Sequence, residues 1–100
     1  MRKSKAIKLL EEIAGPLTFG RLVESIRKNN ELTLQACAAK LGVSRAHLCD
    51  VEKGRRTVSP ERAARWAKEL EHSEPLFVEL ALQAALDAAG LKYRVNVEAA

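Results

Sequence analysis

Cysteine and histidine are nearly missing from this chain, with two of each in 100 residues. Cys37, His47, Cys49 and His72 match no zinc-ligand spacing, so neither a metal site nor a cofactor is expected. Glycine and proline are scarce too, at five and three. That excludes disorder over most of the length and suits a folded, mainly helical chain. The longest apolar segment, Leu76 to Ala89, is interrupted by Glu79, Gln83 and Asp87, so it does not make a membrane span. Near the start, Lys8, Glu11 and Glu12 break the apolar residues before they reach signal-peptide length. A cytoplasmic chain with reduced thiols is the expectation. No nucleophile and base, no metal triad and no phosphate-binding glycine loop can be assembled, and an enzyme is not expected.

Charge, in contrast, is plentiful and unevenly placed. Residues 1–30 carry seven basic and three acidic side chains, a net +4, and residues 31–70 carry eight against five, a net +3. Residues 71–100 carry two against five, a net −3. A basic front and an acidic back suit a protein that lays one face on a polyanion. An ordinary solvated surface accounts for the composition equally well.

The most informative stretch runs from Leu32 to Ser59, LTLQACAAKLGVSRAHLCDVEKGRRTVS. Thr33 is placed to cap a first helix in which Leu34, Cys37, Ala38 and Leu41 recur at helical spacing until Gly42 stops it. Ser44 is placed to cap a second helix, with Leu48 and Val51 on one side and Arg45, Ala46, Cys49, Asp50 and Lys53 on the other. A helix of about ten residues does not hold itself together in water, so its apolar side must dock on neighbours. Its other side is free to contact something.

This pattern resembles the helix-turn-helix of the lambda-repressor-like family, the Cro/C1 or XRE type. The shared residues are Leu32-Thr33, Ala38, Lys40 to Arg45, Leu48 and Val51 to Arg56, and the alignment runs without gaps from about Phe19 to Leu70. The resemblance implies that the second helix enters the DNA major groove with its N-terminal half foremost. It implies base reading by Arg45 on guanine and Ala46 on a thymine methyl. Asp50 replaces the more usual amide, and either accepts from cytosine N4 or repels phosphate. Ser44, His47, Lys53, Arg55 and Arg56 fall where the family holds phosphates. Arg27 matches an arginine that the family pairs with the glutamate at Glu52 and sets near a phosphate. Leu34 stands where the family commonly has a glutamine that braces the reading helix.

Elsewhere the chain is read from its own pattern. Residues 1–16 carry Ile7, Leu10 and Ile13 on a short basic and amphipathic extension ended by Gly15-Pro16. Thr18 starts a helix with a stripe of Phe19, Leu22, Val23 and Ile26. Ser59-Pro60-Glu61 starts another, which turns Ala63, Trp66, Ala67 and Leu70 inward. Leu76 to Ala89 is apolar nearly all round and needs cover on two sides. After Gly90, Leu91, Tyr93, Val95 and Val97 alternate as in a strand, for which the chain offers no partner.

The expected fold is therefore mainly α. It is a five-helix lambda-repressor-like helix-turn-helix fold with an extra N-terminal helix and one C-terminal β-strand, divided into an N-terminal extension in 1–16, the DNA-binding domain in 17–72 and a dimerisation helix and strand in 73–100. Phe77, Leu80, Leu82, Leu86, Leu91, Tyr93, Val95 and Val97 form the expected dimer face. With double-stranded DNA as partner, no membrane and a second copy as mate, the expected function is a dimeric repressor of a palindromic operator. The alternative is an antitoxin that binds its toxin and autoregulates.

Overall fold

The computed structural model describes residues 17–100, and the extra N-terminal helix expected in 1–16 lies outside them. Five α-helices follow in order: α1 Phe19–Asn29, α2 Leu34–Leu41, α3 Arg45–Glu52, α4 Pro60–Glu69 and α5 Glu74–Ala88. Each starts on a serine or threonine whose hydroxyl accepts from the backbone N–H of the third helical residue. The pairs are Thr18 with Arg21 N, Thr33 with Ala36 N, Ser44 with His47 N, Ser59 with Arg62 N and Ser73 with Leu76 N, at 3.0 to 3.3 Å. Such a cap contributes about 1 kcal/mol, which matters for α2 and α3, each only eight residues long. Between them Gly42 takes φ 74°, the left-handed conformation that lets the chain reverse at once.

The helices close around one core. Phe19 of α1 stacks on Trp66 of α4 at 6.0 Å between ring centroids and meets Phe77 of α5 edge-on at 5.7 Å. Trp66 is buried beside Ala63 and Ala67, whose small side chains leave room for its ring. Val23, Cys37, Leu48 and Val51 complete the interior under α2 and α3. Phe77 and Leu80 are 0% and 5% exposed. They belong to this core, not to the dimer face expected of them, because α5 spends that side covering α1 and α4. The helix of residues 74–88 is thus part of the same packed body as the helix-turn-helix.

The C-terminal strand expected to pair with a second copy does not appear within the single chain. No β-ladder forms among the described residues, and 91–100 carry no regular secondary structure. The segment is tied along α5 by side chains instead of by a neighbouring strand. Gln83 donates from Nε2 to Tyr93 O at 2.8 Å and accepts at Oε1 from Val95 N at 2.9 Å. Glu79 Oε1 accepts from Val97 N at 3.1 Å. A backbone must satisfy its polar groups somewhere, and with no strand among the described residues α5 supplies partners at Tyr93, Val95 and Val97.

Candidate nucleic-acid interface

The site is built by docking a short helix on three others. Leu48 and Val51 of α3 are 0% and 1% exposed, which fixes the side of α3 that faces inward. The opposite side is then dictated by the helical period: Arg45 and Ala46 are exposed, while His47, Cys49 and Asp50 are half-buried. Lys53, Arg55 and Arg56 follow on the exposed corner, where Gly54 adopts φ 78°.

The inner end of this corner is clamped. Arg27 of α1 donates from Nε and Nη2 to Glu52 Oε2 and Oε1 at 2.8 and 3.1 Å, and from Nη1 to Leu32 O at 3.0 Å. The two side chains are 12% and 3% exposed. The hydrogen bonds to Glu52 hold the guanidinium above its ordinary pKa against the opposing effect of burial. All three nitrogens of Arg27 therefore work inside the domain, tying the end of α3 and the loop before α2 to α1. Close by, α1 passes so near α3 that a Cβ on Gly20 would meet Val51 O and lie 2.8 Å from Glu52 O. Gly20 escaped the sequence reading because a glycine inside a helix signals only weaker helix; its reason lies on another element, 31 positions on.

The outer end carries a second pair. Arg55 donates from Nε and Nη2 to Asp50 Oδ1, at 3.0 and 2.9 Å, and its backbone N–H donates to Asp50 O at 2.8 Å. Nη2 also lies 3.9 Å from Cys49 Sγ. Asp50 and Arg55, placed by resemblance in separate roles, are thus brought together. His47 is joined by Arg62 of α4, with Nη1 at 3.4 Å from Nε2, and by the Trp66 ring at 6.5 Å between centroids. Burial, then the nearby Arg56 and Arg62, lowers the His47 pKa below its ordinary value. Arg62 was not singled out from sequence, since only the fold carries the start of α4 to the foot of α3.

Among the described residues no three potential metal ligands gather, and no helix is long and apolar enough to cross a membrane.

Two short capped helices at a glycine turn, with the second exposing Arg45 beside a basic corner, define a helix-turn-helix DNA-binding domain. The comparisons agree. A helix-turn-helix family model matches residues 23–76, and the chain belongs to this family, of the Cro/C1 or XRE type. It is accordingly a DNA-binding protein of the transcription-regulator class. Among solved structures it is similar to the clp gene regulator ClgR from Corynebacterium glutamicum, with 32% identity and a TM-score of 0.55. That match covers 72% of this chain and 78% of the other. No curated protein matches.

Proposed function

We propose that the chain is a dimeric, sequence-specific repressor that binds a palindromic operator. The observation that carries this reading is the exposed side of α3, where Arg45 and Ala46 stand free at the N-terminal half of a helix fixed by Leu48, Val51 and the Arg27–Glu52 clamp. In this reading Arg45 takes guanine O6 and N7, and Ala46 takes a thymine methyl. Ser44 at the start of α3, His47, Lys53 and Arg56 hold phosphates on either side. Arg27 positions the corner and makes no phosphate contact of its own, since its nitrogens are engaged. The similarity to a protein described as a gene regulator supports the regulatory role. Repression follows from occlusion of the bound site.

The second copy supplies the two-fold symmetry. Leu91 and Tyr93 are 46% and 67% exposed, Leu82 and Leu86 are half-buried beside them in α5, and Val95 and Val97 are half-buried on the tail. These six form the dimer face in this reading. The exposed tail also favours the alternative, an antitoxin whose tail takes a toxin. Sedimentation of the purified chain separates the two: a dimer supports the first, a monomer the second.

Selection of duplexes from a random pool tests the main reading. The expected result is a palindrome with half-sites about one turn, roughly 34 Å, apart. Affinity for it should fall with salt at a log–log slope of about −3 to −4, as for Lys53 and Arg56 neutralising phosphates on each of two half-sites. A folded protein that enriches nothing would remove sequence reading from its function.

A further inference from the structure

We infer that Asp50 and Arg55 act as one base-reading unit, in which Arg55 contacts guanine and Asp50 is the positioning residue that aims it. This rests on the proposed insertion of α3 into the major groove. Asp50 sits on the groove side of α3, and it captures the Arg55 side chain through Nε and Nη2. The backbone bond from Arg55 N to Asp50 O at 2.8 Å fixes the root of the same side chain, and Cys49 flanks it at 3.9 Å. A guanidinium is a rigid planar fork of five donors. With the Nε–Nη2 edge on the carboxylate, the edge formed by Nη1 and the second hydrogen of Nη2 is turned away. Nη1 has no hydrogen-bond partner among the described residues. That outer edge is the one that matches the O6 and N7 acceptors of guanine.

The pairing also resolves the charge of Asp50. A bare carboxylate in the groove repels phosphate, whereas one already paired with a guanidinium gives a neutral unit. Its Oδ1 is occupied, and a direct contact of Asp50 with cytosine would compete with its hold on Arg55. Lysine at position 55 would keep the charge and lose the fork. The selectivity of the unit is therefore for guanine at one position of each half-site, separate from the position read by Arg45.

Per-position preferences from the same random-pool selection test this, with the wild type, Asp50→Ala, Arg55→Ala, Arg55→Lys and Arg45→Ala compared. The expected result is one guanine that loses about tenfold to a hundredfold of discrimination in Asp50→Ala, Arg55→Ala and Arg55→Lys alike. Arg45→Ala should relax a different position. If Asp50→Ala relaxes a base that Arg55→Ala leaves intact, Asp50 reads directly and the assignment is overturned. If Arg55→Ala weakens every sequence equally, or Arg55→Lys keeps full selectivity, Arg55 is a phosphate contact and the assignment is again overturned. A wild type that enriches no motif overturns the DNA reading itself, and that failure is recognised before any variant is compared.

Discussion

Two arginine–carboxylate pairs bracket the end of α3, and each has a cysteine near it. The inner pair, Arg27–Glu52, is 12% and 3% exposed, whereas the outer pair, Arg55–Asp50, is 60% and 41% exposed. The chemistry is the same and the consequences differ. Removed from water, the inner charges hold each other and the helix ends around them in one geometry; breaking such a pair leaves a charge stranded. The outer charges remain hydrated, add little to stability and stay available to a ligand. Burial turns one pair into framework and exposure leaves the other as a contact surface.

The neighbouring thiols give the sharpest contrast. Cys37 is 0% exposed with its pKa pushed up by burial, while Cys49 is half-buried beside Arg55. A thiol-labelling time course should modify Cys49 in the native protein at least about a thousandfold faster than Cys37, which must wait for opening. Equal rates would show that the inner corner opens freely. Next in size, Glu52→Ala strands Arg27 and should cost about 4 kcal/mol in urea unfolding. A loss below about 1 kcal/mol would mean that the inner pair behaves like the outer one. Gly20→Ala should cost about 3 kcal/mol, because its methyl meets the backbone at Val51 and Glu52, where no rotamer change relieves the overlap. On the outer side, Asp50→Ala should change stability by no more than about 0.5 kcal/mol, even as it alters base preference.

The smallest effect is that of pH through His47. Its folded pKa lies below the ordinary value of 6.5 because of burial, Arg56 and Arg62, against a raising effect of Asp50. The unfolded chain therefore binds the proton more readily. The contribution of the neutral ring is whole above the ordinary value and is lost as pH falls through the folded one. Urea midpoints at about pH 7.5 and about pH 5.5 should differ less in His47→Gln than in wild type.

Local features were the legible ones. Thr18, Thr33, Ser44 and Ser59 mark their helices because a cap and the helix it starts lie within one turn. The Arg27–Glu52 clamp spans 25 positions and was reached through resemblance, not spacing. Gly20 and Arg62 owe their meaning to elements docked from elsewhere. Asp50–Arg55 was missed because its five-residue separation bridges a helix end, where regular spacing stops applying. In α5 apolar residues on nearly every side left open which of them would be core, and Phe77 and Leu80 were misplaced for that reason. Of the alternating Leu91, Tyr93, Val95 and Val97, only Val95 and Val97 are half-buried, and a period of two says nothing about what bonds the backbone.

That last point gives Gln83 an unusual position. A side-chain amide has the same carbonyl and N–H as a peptide unit, and Gln83 offers both to the tail at 2.8 and 2.9 Å. It is a surrogate for one rung of a sheet. One side chain thus satisfies two backbone groups of the tail, Tyr93 O and Val95 N, that would otherwise need partners elsewhere.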